Sequence, residues 1–391
     1  MLSISKKLGV SRENTSLMYG MYFGFLCSGF LSTLIGAVLP AMSAEYKLSY
    51  LVQGSIISAH QIGNFIAVLV AGFLPNAIGR KKSTLLLDSG KALGLSCAVL
   101  TGNPVALLPA FALTGVGRGC LSNITNVVMA EISPKKASAL NILHSTFAVG
   151  ALASPFLVML FKDAWRVPVL LLIAMELISL IWIGSSNLSG KSKKPANSGK
   201  ASFLSSPIWW INTAILFFYL CTEASIIGWL VTYLKDSGRM SIAMAQSCSS
   251  LLWVMILIGR LSCASLSQRI SKNLLLLILG IGQSICFVMM ITIQSPVMTI
   301  ISVLLFGLFL SGTYPTTLAT MPTAFNSSTV ATGTCIALAS LGAIIMPSII
   351  GAIAQASGLV GAIGVICIAL GAMLSLMTAK AIIEKRKAIE G

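Results

Sequence analysis

Long apolar runs alternate with short polar segments along the whole chain. Twelve runs are each long enough to cross a hydrocarbon core about 30 Å thick, which takes roughly 20 helical residues. They lie at 16–40, 50–75, 83–101, 104–131, 136–161, 166–188, 207–235, 243–268, 272–294, 296–322, 328–356 and 359–383. The pattern predicts an all-α integral membrane protein with twelve transmembrane helices.

One polar segment is much longer than the others. Residues 189–206 are rich in Ser, Gly and Lys, which is typical of a flexible cytoplasmic linker. The segment separates a predicted N-terminal six-helix bundle at 1–188 from a predicted C-terminal six-helix bundle at 207–391. Two packed repeats of this kind are common in secondary transporters.

The distribution of charge predicts how the helices are oriented in the membrane. The 391 residues are 56% hydrophobic and only 9% charged, whereas soluble proteins are about 25% charged. Of the Lys and Arg residues in the segments between the runs and at the ends of the runs, eighteen fall on the side of the N-terminus and five on the opposite side. Cytoplasmic loops carry such an excess. We therefore expect both termini in the cytoplasm, a cytoplasmic-membrane location and no nucleic-acid partner, despite the net charge of +16.

The positions of the cysteines and the absence of known catalytic motifs argue against other classes of protein. Most of the nine Cys residues lie inside apolar runs, and none belongs to a CxxC pair. We expect them to pack as small apolar side chains, without disulfide, metal or cofactor. The sequence has no Walker GxxxxGK(S/T) loop and no HExxH motif. These features argue against an enzyme and against an ATP-driven pump.

A glycine-rich basic motif follows the second run. It begins at Gly72 and reads Gly-Phe-Leu-Pro-Asn-Ala-Ile-Gly-Arg-Lys-Lys, which resembles the Gly-x-x-x-Asp-Arg-x-Gly-Arg-Lys signature of the major facilitator superfamily. The resemblance implies the major facilitator fold and a gate whose basic side chains bind helix ends. The implied gating residues are Gly72, Asn76, Gly79, Arg80, Lys81 and, in the second half, Arg260. Asn76 replaces the usual Asp, so we expect a weaker gate. A plain cytoplasmic loop would also carry these cations.

The fifth run carries polar groups at helical spacing. Asn141, His144, Phe147, Gly150 and Pro155 resemble the Asn-x-x-His-x-x-Phe-x-x-Gly-x-x-x-x-Pro pattern of the fucose-permease-like branch of that superfamily. The resemblance implies sugar:proton symport. Asn141 and His144 share one helix face. They bind solute, or they hydrogen-bond to a neighbouring helix.

The seventh run contains a carboxyl group. Glu223 lies between Tyr219 and Trp229 in a stretch that resembles the seventh helix of the same branch. A carboxyl group in a membrane helix can exchange a proton, so Glu223 is a candidate for proton coupling. The alternative is a structural Glu satisfied by Arg or by helix-end donors. Trp229 can stack on a sugar ring or anchor the helix at the interface.

Other polar residues inside the runs are candidates for solute binding. Arg118 needs a carboxylate or an anionic ligand, and Asn123 and Asn126 follow it on the same run. A structural ion pair is the alternative for Arg118. His60 and Asn64 share a face of the second run, where His60 either titrates or bridges two helices as a neutral side chain.

Three further charges lie inside the third and sixth runs. Asp88 and Lys91 are three residues apart, so we favour a structural pair between them. Glu176 lies in the sixth run, which is peripheral in most members of the superfamily. Asp88 and Glu176 are nevertheless alternative candidates for proton coupling.

Glycine and proline interrupt the tenth and eleventh runs. The stretches from Gly312 to Thr317 and from Gly342 to Pro347 predict broken helices, which commonly lie at gates or binding sites. Tyr314 in the first stretch is a further candidate for solute binding.

Together these features favour a secondary active transporter that works as a monomer on a small polar solute. Proton-coupled sugar uptake fits the resemblances in the fifth and seventh runs. Proton-coupled export, or transport of organic anions or drugs, fits Arg118, His60 and His144, because a neutral sugar does not require a buried cation. A sensor that binds without transporting is a third class.

Overall fold

The computed structural model of the protein describes residues 2–70, 74–161, 164–188, 202–321 and 329–390. Within these ranges, eleven helices are long and apolar enough to cross a membrane. The helix over the second predicted span, Tyr50–Val70, has 21 residues but is not among the eleven. It carries Gln53, His60, Gln61 and Asn64, which lower its hydropathy. The all-α membrane fold predicted from the sequence is confirmed.

The chain divides into two compact units, Met1–Lys193 and Lys194–Gly391. The first begins with a short helix, Leu2–Leu8, and has a one-turn helix, Leu74–Ile78, after the second long helix. Its long helices are α1 (Thr15–Tyr46), α2 (Tyr50–Val70), α3 (Arg80–Leu100), α4 (Pro104–Ile132), α5 (Lys136–Leu160) and α6 (Arg166–Ser185). The boundary between the units falls inside the predicted linker, of which residues 189–201 lie outside the described ranges.

The second unit follows a 3-10 turn at Ser202–Ser205. Its long helices are α7 (Pro207–Asp236), α8 (Ile242–Leu266), α9 (Lys272–Thr292), α10 (Pro296–Leu310), α11 (Thr329–Ser357) and α12 (Ile366–Glu390). A short helix at Thr313–Ala319 follows α10. Another at Leu359–Ala362 precedes α12, and a 3-10 turn at Ile363–Val365 joins it to α12.

Several helices begin at a polar cap. The Asn103 side chain accepts a hydrogen bond from the backbone N–H of Val105, and Ser206 accepts one from Trp209. In both cases a proline follows the cap, where its missing N–H costs no hydrogen bond. These local signals place the starts of α4 and α7.

Glycines allow the helices of each unit to pack backbone to backbone. A Cβ atom on Gly29 of α1 would lie 2.0 Å from the carbonyl oxygen of Phe147, and one on Gly150 of α5 would lie 2.0 Å from that of Leu26. The two helices therefore approach each other through a reciprocal pair of glycines. Small residues at helix contacts are the usual means of association in membranes.

The predicted break in the tenth span is confirmed, and the one in the eleventh is wrong. Helix α10 ends at Leu310 and a separate helix begins at Thr313. Helix α11 runs without a break through Gly342 and Pro347. Gly342 serves close packing instead, because a Cβ atom there would lie 2.2 Å from the carbonyl oxygen of Phe217 in α7.

An arginine closes the carboxyl end of one helix in each unit. Arg166 donates to the carbonyl oxygen of Val99 at 3.3 Å and to Glu45 at 2.7 Å. Arg239 donates to the carbonyl oxygens of Met290 and Ile291 at 2.6 and 3.1 Å. The last carbonyl groups of α3 and α9, which lack partners inside their own helices, are satisfied in this way.

Candidate functional site

A pair of aromatic rings connects Arg118 with His144, two of the predicted polar residues of the first unit. The rings of Phe25 in α1 and Phe147 in α5 have centroids 5.3 Å apart. The Cζ atom of Arg118 in α4 lies 5.8 Å from the centroid of Phe147. The imidazole of His144 meets Phe25 edge-on at 5.5 Å. Three helices thus contribute to one group of side chains, in which the guanidinium contacts one ring of the pair and the imidazole contacts the other.

Arg118 and His144 retain access to solvent. Arg118 is half-buried and His144 is exposed, and so is Asn141, one turn before His144. Cationic and amide groups beside aromatic faces can bind hydroxyl or carboxylate groups of a solute. The structure therefore brings Arg118 and His144 to one aromatic pair, and Asn141 lies one turn before His144 on the same helix.

His60 and Asn64 occupy a different environment, between α2 and α4. His60 is buried, and its Nδ1 lies 2.8 Å from the hydroxyl oxygen of Thr114. This contact corresponds to the helix-bridging interpretation of His60. Arg118 is close enough to interact with it electrostatically. Asn64 is half-buried and packs against α4, because a Cβ atom on Gly119 would lie 2.7 Å from its carbonyl oxygen.

Asn123 and Asn126 lie further along α4. Asn126 donates to the carbonyl oxygen of Ser122 at 2.7 Å, which is a local contact within the helix. Asn123 lines a small cleft together with Arg80 and Thr84. It therefore groups with the basic motif at the start of α3.

That basic motif joins the ends of several helices. Gly72 lies outside the described residues, and Asn76 is exposed. Gly79 has a φ of 89°, which favours glycine, and it caps α3. Arg80 binds Glu131 of α4 through two hydrogen bonds of 2.6 and 3.0 Å. Lys81 donates to the carbonyl oxygen of Ser186, which follows α6, at 3.1 Å.

The predicted pair of Asp88 and Lys91 is confirmed, and it has a third member. The Lys91 ammonium lies 2.8 Å from Asp88 Oδ1 and 2.7 Å from Glu176 Oε2. All three side chains are fully buried. Glu176, expected on a peripheral helix, therefore faces the interior of the first unit.

The second unit has its own polar group around Glu223. This carboxylate is half-buried and accepts a hydrogen bond of 2.7 Å from the Tyr219 hydroxyl. The rings of Tyr219 and Tyr314 are 6.0 Å apart. Arg260 is exposed and interacts electrostatically with Tyr219. Glu223 and Tyr314, which were predicted separately, both lie beside Tyr219.

Trp229 does not belong to this group. Its side chain has no exposed surface, and its indole N–H donates to the carbonyl oxygen of Pro347 at 3.3 Å. The ring packs between α7 and α11 and offers a solute no face in this structure.

Two participants were missed because their role depends on partners far along the chain. Phe25 and Glu131 contact residues on other helices. The contact of Tyr219 with Glu223 could be predicted from the sequence, because residues four positions apart are neighbours on a helix. Among the residues that the structure describes, no group of three or more His, Cys, Asp and Glu side chains is placed to hold a metal ion.

Long apolar helices in two units, with charged and aromatic groups gathered inside each, define a multi-pass helical membrane transport protein. The model of the Major Facilitator Superfamily matches residues 21–347. The chain belongs to this superfamily.

Two curated relatives illustrate the breadth of the superfamily. The chain is 25% identical over 363 residues to the uncharacterized MFS-type transporter YfkL of Bacillus subtilis, covering 87% of this chain and 89% of that protein. It is 31% identical over 169 residues to a gallate transporter of Pseudomonas putida, covering 40% and 36% of the two chains. The relatives are transporters.

Solved structures of sugar transporters share the fold. A D-xylose–proton symporter has a TM-score of 0.76 at 14% identity and covers 94% of this chain and 97% of its own. The fucose:proton symporter FucP of E. coli has a TM-score of 0.58 at 17% identity, with coverages of 92% and 98%. At such identities the likeness establishes the fold alone.

Proposed function

We propose that this transporter takes up a sugar or a similar polyol across the cytoplasmic membrane, coupled to protons and by alternating access. The aromatic pair Phe25–Phe147, with Arg118 and His144 beside it, is the observation that carries the proposal. The half-buried ring of Phe147 packs against the C–H face of a sugar ring, and the nitrogen groups bind the sugar hydroxyls. Phe25 is buried and packs against Phe147 without contacting the solute. Asn141 extends the same polar surface.

The second unit carries polar groups of its own that can bind a solute. The Glu223 carboxylate accepts hydrogen bonds from solute hydroxyls, and Tyr219 and Tyr314 can both donate and accept. Glu223 is half-buried, so its carboxylate is partly accessible. It is the proton-coupling candidate of this unit, while Asp88 and Glu176 are those of the first. The basic motif around Arg80, and Arg260 in the second unit, serve the gate.

A second candidate function is transport of an organic anion. Arg118 is the observation that favours it, because a guanidinium binds a carboxylate through two charge-assisted hydrogen bonds. The similarity to the gallate transporter points in the same direction. The two functions differ in whether the solute carries a negative charge.

Transport into liposomes tests the proposal. Purified protein is first screened by thermal shift against sugars and organic acids, since a ligand that binds only the folded state raises the melting temperature. Uptake of radiolabelled D-xylose, L-arabinose, L-fucose and gallate is then measured with an acidic exterior. We expect a sugar to accumulate above equilibrium, and a protonophore to abolish the accumulation. Accumulation of gallate alone would favour the second candidate, and binding without counterflow would indicate a sensor.

Reporter fusions test the proposed orientation. A reporter at the C-terminus is expected in the cytoplasm, and one placed after Asp236, between α7 and α8, is expected on the opposite side. The excess of Lys and Arg in the predicted cytoplasmic segments gives the reason. Alkaline phosphatase and a fluorescent protein, each fused at both positions, should therefore give opposite signals. Equal signals would contradict the arrangement of twelve spans.

A further inference from the structure

The interior of the first unit contains a buried group of charges on α3 and α6. We call Asp88, Lys91 and Glu176 the charge cluster. Its two carboxyl groups both lie within 2.8 Å of one nitrogen atom, Lys91 Nζ, and all three side chains are 0% exposed. Lys91 Nζ also lies 3.5 Å from the hydroxyl oxygen of Ser28 in α1. The charge cluster thus joins α1, α3 and α6.

The charges of this cluster do not balance. One ammonium neutralises one carboxylate, and a second carboxylate would remain as a net negative charge in a medium of low dielectric constant, which is strongly unfavourable. The remaining oxygens, Asp88 Oδ2 and Glu176 Oε1, are buried and have no hydrogen-bond partner among the described residues. Ordinarily such oxygens are hydrogen-bonded. A proton on one of the carboxyl groups removes the excess charge.

We propose that the charge cluster is the site that binds the coupling proton, which rests on the proton-coupled function proposed above. Asp88 and Glu176 share one proton, and Lys91 balances the carboxylate that remains. Release of the proton leaves two carboxylates attracted to one ammonium, which changes the forces between α3 and α6. A hard metal cation would need oxygen ligands on several sides, whereas the ammonium already occupies the space between the two carboxylates.

The packing of α4 links the charge cluster mechanically to the proposed solute site. A Cβ atom on Gly117 would lie 2.7 Å from Lys91 Cγ and 2.9 Å from the carbonyl oxygen of Asp88. The backbone of α4 therefore rests directly on the charge cluster. Arg118, the next residue, extends toward Phe147. A shift of α3 on protonation is transmitted through this contact to the guanidinium.

The other titratable groups that face the cluster are thiols. Cys27 of α1 and Cys120 of α4 interact electrostatically with it. Thiols are much weaker acids than carboxylic acids, so the carboxyl groups take part in the exchange. Glu223 differs from the carboxyl groups of the charge cluster because it is partly exposed and accepts a hydrogen bond from the Tyr219 hydroxyl.

Infrared spectroscopy of the detergent-solubilised protein tests the site without any solute. The wild-type protein should show a protonated-carboxyl C=O band that disappears on titration to high pH. Glu176→Gln and Asp88→Asn each leave one carboxylate against one ammonium, so each should fold and lose the band. The exposed-residue control Glu13→Gln should keep it. A wild-type protein without such a band would overturn the proposal even if neither variant folds.

Liposome measurements then connect the site to transport. With the sugar that the wild-type protein transports among D-xylose, L-arabinose and L-fucose, Glu176→Gln and Asp88→Asn should retain counterflow within about twofold but lose accumulation driven by a pH gradient. Wild-type accumulation by both variants, or loss of accumulation and of the band in Glu223→Gln instead, would overturn the assignment while leaving proton-coupled uptake intact. If wild-type protein transports none of these sugars, the proposed solute fails and the infrared result alone decides on the charge cluster.

Discussion

Replacing Arg118 by alanine is expected to reduce solute uptake roughly 100-fold, because a hydrogen bond to a charged group contributes about 1.5–3 kcal/mol and a tenfold change corresponds to about 1.4 kcal/mol. The guanidinium beside Phe147 is half-buried, so its loss removes recognition without opening the core. Arg118→Lys should not restore uptake, since an ammonium lacks the planar pair of donors. Initial uptake rates in liposomes, with melting temperatures in detergent, measure both effects.

The matched control for this variant is another arginine of the same chain. Arg269 is exposed in the segment between α8 and α9, outside the proposed site. Arg269→Ala should therefore transport at the wild-type rate. Wild-type uptake by Arg118→Ala would exclude Arg118 from solute binding and would leave it a structural role.

Replacing Gly150 by alanine is expected to prevent formation of a stable first unit. The added methyl group would lie 2.0 Å from the carbonyl oxygen of Leu26, so α1 and α5 would have to separate. Overpacking of this kind costs about 1–3 kcal/mol and occasionally more, and here the obstacle is backbone that cannot rotate away. The yield of monodisperse protein in detergent should fall strongly, together with the melting temperature.

Gly371 of α12 provides the comparison for the same chemical change. A Cβ atom on Gly371 has no atom within 4 Å, and alanine is favoured over glycine inside a helix by about 0.5–1 kcal/mol. Gly371→Ala should therefore match or exceed the wild-type melting temperature. A Gly150→Ala protein as stable as Gly371→Ala would show that α1 and α5 do not pack through their glycines as described.

Features encoded within one helix could be predicted from the sequence. The length of an apolar run determines whether a helix spans the membrane, so the spans were placed without tertiary information. The pair of Asp88 and Lys91 follows from helical spacing alone, as does the contact of Tyr219 with Glu223. The break before Thr313 follows from a local glycine.

Features that depend on contacts between helices could not be predicted. No spacing rule indicates that Glu176 reaches Lys91 from another helix, or that Arg80 binds Glu131. The interruption predicted at Pro347 failed for a related reason. Proline is tolerated inside a membrane helix when neighbouring groups satisfy the backbone, and the sequence does not show which neighbours are present. The packing role of Trp229 could not be predicted either, because it depends on a contact with Pro347 of another helix.

The two arginines that close α3 and α9 have an implication for how the halves of the chain diverged. Each caps the third long helix of its own half, yet Arg166 is the first residue of the sixth helix of its half, whereas Arg239 follows the first helix of its half. If the halves descend from a duplicated ancestral segment, as repeats in such transporters suggest, the architecture was inherited while the capping side chain was acquired twice from different positions. An alignment of one half with the other would therefore leave the two arginines unmatched, although they perform the same task.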